Sequence, residues 1–313
     1  MRGWHNRIAS SALGGATHLL RTPHGCVIID TGHPRYARET VRALRDVTAF
    51  RTAPLTQVLH THLHADHTGA SALLARCQPG AAFLAAPDAT GCAFRREERA
   101  LGIVPRPFTI TKRLYHNDVL ALGDDELRCL ETPGHCDGHL CYFLQRRRVL
   151  FCGDIIANAD IGTLDITRPW RESVERMRGS IEMLHGLNPL CICPAHGSSM
   201  APTPLLWKRL QRRLAPDHLT ARVLVSHTLM PLLLLALEAR GPQSLEALKR
   251  FTREHRGFLS VFIDDIDESI LDDELPTMLL LLQVQGVIVR SDDSYRLSSF
   301  FLRSNARHGA TRR

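Results

Sequence analysis

His62-Leu63-His64-Ala65-Asp66-His67 follows Thr56-Gln57-Val58-Leu59-His60, a short run of β-forming residues that predicts a strand entering a loop dense with histidine. Alternate residues of an extended segment point the same way, so His62 and His64 can grip one ion together. The chain then turns, and Asp66 and His67 can face a second ion nearby. Mixed imidazole and carboxylate ligands suit zinc, iron or manganese.

One cluster of this kind does not by itself define a metal site; further candidate ligands lie along the chain. Thr132-Pro133-Gly134-His135-Cys136-Asp137-Gly138-His139 places a histidine just after a predicted strand, in a glycine-rich turn. Phe151-Cys152-Gly153-Asp154 ends the next strand in a carboxylate, and Pro194-Ala195-His196-Gly197 ends another in a histidine. All sit on loops at strand ends, where a rigid scaffold can make distant residues converge. Other histidines read more plainly. His60 is a polar strand-end residue, His139 orients its turn or supports the site, and His116 lies on an exposed loop.

The surrounding pattern is α/β. Residues 18–22 and 26–30 read as two strands around a turn at Gly25, followed by a helix over 34–46 and another over 70–75. A second strand-rich block begins near Phe83 and takes in 127–130, 140–144 and 148–152. Val174, Met177, Ile181 and Leu184 recur at helical spacing within 170–185, and 190–193 is a last short strand. Strands and helices alternating in two successive halves suit an αββα sandwich, two mixed β-sheets flanked by helices. The proline-rich Ala201-Pro202-Thr203-Pro204 marks a boundary, giving domains 1–201 and 202–313. The second reads as helices over 205–214, 219–239, 244–255 and 275–286, with an acidic run at 264–274. Strands at 287–290 and 295–298 then make a hairpin, the outline of a winged-helix-like module. A basic tail closes the chain at 303–313.

Composition narrows the class. A net charge of +7 tolerates an anionic partner, but residues 202–313 hold sixteen Lys/Arg against thirteen Asp/Glu, a weak argument for nucleic acid. The nine cysteines form no CxxC pair and mostly lie in apolar runs, so they read as buried reduced thiols. No secretory signal is recognised at the N-terminus, and the apolar segment 223–237 looks short for a membrane span. A cytoplasmic protein with no membrane contact is expected, and the apolar C-terminal helices would suit a homodimer.

The pattern HxHxDH, then His, Asp and His at strand ends, resembles the metallo-β-lactamase superfamily from about residue 14 to about 200. Ile28-Ile29-Asp30-Thr31-Gly32 is similar to that family's opening strand, where the aspartate supports a ligand and the glycine permits a tight turn. The resemblance implies that His62, His64 and His135 hold a first divalent metal ion and Asp66, His67 and His196 a second, with Asp154 bridging. Zinc is the first choice, with iron or manganese as alternatives. Two cations sharing a carboxylate lower the pKa of a water between them from about 16 to around 7. Asp66 would be the catalytic residue that orients this nucleophile.

Lactam-hydrolysing members typically lack a bridging aspartate, and di-iron oxygen-reducing members usually carry glutamate at the position of His64. The run 132–139 resembles instead the glyoxalase II and lactonase branches. Hydrolysis of an ester, lactone or thioester in a small acyl substrate is therefore expected. Two alternatives stay open at this stage: a metal-dependent endoribonuclease, and a metal-binding regulatory protein with little catalysis.

Overall fold

The computed structural model describes residues 4–8, 14–87, 99, 101–255, 268–299 and 301. Among these, the first sheet runs in spatial order β1 (His5–Ile8), β2 (Thr17–Thr22), β3 (Gly25–Ile29), β4 (Leu55–Leu59), β5 (Ala82–Ala85) and β6 (Lys112–Arg113). Pairing is antiparallel from β1 to β3 and parallel from β3 to β6. The second sheet contains β7 (Val119–Leu122), β8 (Asp125–Glu131), β9 (Leu140–Leu144) and β10 (Val149–Gly153). A small hairpin, β11 (Ile156–Ala157) with β12 (Asp160–Ile161), leaves the end of β10, and β13 (Cys191–Pro194) returns parallel to β10 to complete the second sheet. Both sheets are mixed. The strand at Phe83 belongs to the first sheet, parallel to β4, so the second block begins at Val119 rather than near Phe83 as its spacing had suggested.

Strand periodicity builds the layers. Leu20, Val27, Ile29, Leu59 and Leu84 point one way and meet Leu127, Cys129, Leu140, Tyr142, Leu144 and Phe151 of the other sheet. Their neighbours Leu19, Ile28, Val58 and Phe83 point the other way. They pack on α1 (Ala37–Asp46) and α4 (Ser71–Cys77) through Val41, Leu44 and Leu74. Between these helices lie the short α2 (Thr48–Thr52) and α3 (Ala65–Thr68). The far face of the second sheet carries Cys141, Phe143, Leu150 and Cys152. It is covered by Val174, Met177, Ile181 and Leu184 of α5 (Trp170–Gly186). Strands buried on both faces read as continuous apolar runs, which is why β9 (LCYFL) and β10 (VLFCG) lack alternation. The expected αββα layering is found.

Beyond residue 201 the elements are α6 (Pro204–Arg213), α7 (Ala221–Arg240), α8 (Leu245–Glu254) and α9 (Glu268–Val284). A three-stranded sheet accompanies them, ordered β14 (Gln243–Ser244), β16 (Ser294–Leu297), β15 (Ile288–Ser291). The helix expected at 275 begins earlier, inside the acidic run. Residues 264–267 of that run, Cys92 and the tail from 303 lie outside the described residues. The apolar core under α5 continues without a break through Leu206, Trp207 and Leu210 into Leu232, Leu233, Leu237, Leu275 and Leu279. Among the described residues, one helix, over Val223–Arg240, is long and apolar enough to cross a membrane by length and composition, longer than the sequence reading allowed. Its Leu229, Leu232, Leu233 and Leu237 are nonetheless buried in this core.

Candidate metal centre

β4 delivers the histidine loop to one end of the sandwich. His62 and His64 are buried on the extended segment leaving the strand, while Asp66 and His67 ride on the single turn of α3. The β8–β9 loop brings His135. Its Pro133-Gly134 step lies on α5, where Ser180 Oγ donates to the Pro133 carbonyl at 2.6 Å and a Cβ on Gly134 would come within 2.5 Å of the Met177 backbone. Asp137 in the same loop pairs with Arg168 and Arg176 at 2.6 and 3.1 Å. Asp154 and His196 project from the ends of the adjacent parallel strands β10 and β13.

These seven side chains, drawn from four segments of the chain, converge. His62 Nε2 and His135 Nε2 lie 2.7 and 3.0 Å from His64 Nδ1. His196 Nε2 is 3.1 Å and His67 Nε2 3.6 Å from Asp66 Oδ2. Asp154 stands between the two groups, with one oxygen 3.4 Å from His67 Nε2 and the other 3.6 and 3.5 Å from His135 and His196. Two cation-sized clusters result, and a carboxylate is shared between them. Cys136 also reaches the first cluster, though the sequence had marked it only as a small apolar residue.

Neighbouring hydrogen bonds set which ring nitrogen faces inward. Thr163 carbonyl accepts from His135 Nδ1 at 2.8 Å, leaving the Nε2 lone pair for the centre. Thr61 Oγ1 donates to Asp30 at 2.7 Å and therefore accepts from His62 Nδ1 at 3.1 Å, with the same consequence. Asp30 accepts also from the Thr61 amide and from His67 Nδ1, both at 2.8 Å. Both ring nitrogens of His139 are already engaged: its Nδ1 donates to Thr132 Oγ1 at 2.8 Å and its Nε2 accepts the Asp154 amide at 3.1 Å. Gly153 makes that approach feasible, since a Cβ there would lie 2.5 Å from His139 Nε2 and its φ is +48°. His60 is buried behind the loop, held by Leu84 carbonyl and Ser71 Oγ, and His116 is exposed, as the sequence suggested.

The electrostatics call for positive charge. Burial pushes His62 and His64 well below the usual imidazole range, so both are neutral donors of lone pairs. Burial acts the same way on His67, but the carboxylates of Asp66, Asp154 and Asp30 outweigh it and raise its pKa well above normal. His196 is likewise raised, by Asp154 and Asp66 against burial. Despite burial, these imidazoles hold Asp66 and Asp154 in their ionised form. His67 Nε2 and Asp154 Oδ1 are buried, 3.4 Å apart, and make no hydrogen bond. Buried polar atoms left this way are rare, and a cation between them satisfies both. The donor set fits two metal ions.

A cavity of about 780 Å³ opens onto the centre. His64, Asp66, His135, Asp154 and His196 form one end. Met230, Pro231, Leu234 and Leu235 of α7 and Leu281 and Leu282 of α9 form an apolar wall. α7 is two-faced: Leu232 and Leu233 are fully buried while Leu234 and Leu235 line the cavity. Arg7 and His33 also line it, and neither stood out in the sequence. Arg7 meets the Ala195 carbonyl and His33 lies 4.0 Å from the Glu238 carboxylate, both far along the chain, so no local spacing marks their place in the cavity.

The sequence profile of the Metallo-beta-lactamase superfamily matches residues 11–196, and the chain belongs to that superfamily. Among curated proteins it is 35% identical over 127 residues to a hydroxyacylglutathione hydrolase-like protein of Homo sapiens, covering 39% of this chain and 38% of that one. It is 31% identical over 144 residues to a hydroxyacylglutathione hydrolase of Rhodospirillum rubrum, covering 46% and 48%. A thioesterase of Emericella nidulans is 26% identical over 217 residues, covering 68% and 55%. The chain thus spans about half or less of the length of these relatives. In fold it resembles a metallo-beta-lactamase family protein of Thermus thermophilus, with a TM-score of 0.54 and 19% identity over 94% of this chain and 98% of that one.

Proposed function

We propose that the protein hydrolyses a carboxylic ester, thioester or lactone, using two divalent metal ions, zinc first among the candidates. His62, His64 and His135 would hold one, Asp66, His67 and His196 the other, with Asp154 between them. The observation that carries this reading is the meeting of those seven side chains, five of which line one end of a largely apolar cavity. The names of the curated relatives, hydroxyacylglutathione hydrolase and thioesterase, support the acyl class.

When bound, the ions supply an acidified water and polarise the scissile carbonyl. The chain's own residues do the rest. Asp30, Thr61 and Thr163 hold the imidazoles in their ligating tautomers. Asp66 is less buried than its imidazole partner His67 and lines the cavity. It orients the nucleophilic water, takes up the proton that water gives up and passes it to the leaving group. The leucines of α7 and α9 receive the apolar part of the substrate and exclude bulk water.

The same reading takes residues 1–201 as the catalytic domain and 202–313 as a winged-helix-like module. The succession of α7, α8, α9 and the β15–β16 hairpin supports this, as does the pairing of β14 with β16. Its residues in the cavity wall favour a role in shaping the pocket over nucleic-acid binding.

The test is a panel of ester, lactone, thioester and phosphodiester substrates, assayed with metal-loaded and chelator-stripped protein of measured metal content. Activity on acyl substrates alone, lost on stripping, is expected. Cleavage of RNA without acyl hydrolysis would replace this reading with the nuclease one. Asp66→Asn should lower kcat about 10²- to 10⁴-fold, and full turnover with both metals retained would remove Asp66 from its role.

A further inference from the structure

Arg7 on β1 is half-buried and faces the cavity. Its Nε is buried and, among the described residues, has no hydrogen-bond acceptor, and its Nη2 reaches only the Ala195 carbonyl there, at 3.5 Å, the outer limit of such a bond. Among the described residues no carboxylate pairs with it. Its surroundings are instead Cys193 and the neutral imidazoles of His5 and His18. Burial lowers its pKa, with little to offset the cost. A guanidinium remains charged in such a place, and withdrawing it from water without a counter-ion is unfavourable.

The other ionic groups of the cavity wall differ. Arg213 is neutralised by Asp160 at 2.8 Å, Glu274 accepts from Ser226 at 3.3 Å, and Asp66 and Asp154 face the histidine clusters. Of the two guanidinium groups on this wall, Arg7 is the one with no carboxylate partner among the described residues. Its contact residue Ala195 immediately precedes His196, and all three line the same cavity, whose wall from α7 and α9 is apolar.

Resting on the acyl-hydrolase reading, we infer that the substrate carries an anionic group, carboxylate or phosphate, which Arg7 binds while the apolar portion lies along α7 and α9. Arg7 is thus a specificity residue: its five N–H donors suit a two-pronged contact with an oxyanion.

The experiment uses full-length protein loaded with zinc and two kinds of readout. Calorimetry measures binding of a medium-chain dicarboxylic acid monoamide, of its neutral diamide and of the matching phosphate, none needing turnover. Kinetics compares thioesters of equal chain length ending in carboxylate, phosphate or carboxamide. The wild type should bind and cleave the anionic members about ten- to a hundredfold better than the neutral one. Arg7→Met should erase most of that preference through KM, and Arg7→Lys should restore part of it. The better of the two anionic arms identifies the head group. Equal binding of anionic and neutral probes, or a loss in Arg7→Met that is the same for both, would overturn the proposal. If the anionic probe binds through Arg7 but no acyl substrate is cleaved, the site inference stands and the hydrolase reading fails.

Discussion

At the level of single residues, the centre depends on atoms behind the ligands as much as on the ligands themselves. Asp30 sits at a positive φ of 56°, a region that aspartate and asparagine tolerate better than most residues. From there its carboxylate meets both Thr61 and His67. Asp30→Asn keeps the backbone and can still accept from Thr61, but its amide nitrogen would face His67 Nδ1 and favour the wrong tautomer. We expect an unchanged melting temperature with metal affinity about 10- to 100-fold lower, read by chelator competition. Unaltered affinity would show that Asp30 only braces the backbone. The motif HxHxDH and the later His, Asp and His were legible because strand ends and spacing are local properties. The inward-facing nitrogen of each ring was not, since Thr163 is 28 residues from His135 and Asp30 is 37 from His67.

Among the elements, α7 shows what helical periodicity can and cannot say. Its apolar run continues all round the helix, so no stripe identifies an inner face. One side enters the core and the other walls the cavity. Leu233→Ala, at a fully buried site, should cost about 2–5 kcal/mol in urea denaturation. Leu234→Ser, on the cavity side, should cost much less and instead raise KM increasingly with acyl chain length. Similar destabilisation by both changes, with no chain-length effect, would contradict the two-faced assignment. Sheet membership was hidden in the same way: the Phe83 strand joins the first sheet because its partner β4 lies 25 residues earlier.

Across the whole molecule, the edge strand β1 ties the first sheet to the second through histidines. His18 Nε2 donates to the Pro194 carbonyl at 3.3 Å, so its Nδ1 accepts from His5 Nε2 at 3.1 Å, and both rings pack on Phe151. His18 must be neutral to accept at Nδ1, and burial favours the neutral form of both rings. Burial and nearby Arg7 lower the His5 pKa to about 4, and burial holds His18 well below its usual range. Between about pH 6.5 and pH 4 the unfolded chain therefore binds protons that the folded one refuses. Stability should be full above pH 6.5 and fall as pH drops, with His5 alone worth up to about 3 kcal/mol. Urea midpoints of the metal-free protein across that window should fall more steeply for wild type than for His5→Gln. Parallel slopes would rule the histidine pair out as the source.

The chain by itself specified the alternating layers, the helices beyond residue 201 and the seven side chains that meet in space, because these follow from periodicities of 2 and 3.6 and from short motifs. Only the tertiary structure decided that α7 and α9 wall a cavity leading to those side chains, that Arg7 lines it without a carboxylate partner among the described residues, and which ring nitrogens point inward. Those outcomes depend on residues brought together from far apart along the chain, and no local pattern encodes the partner a side chain will meet.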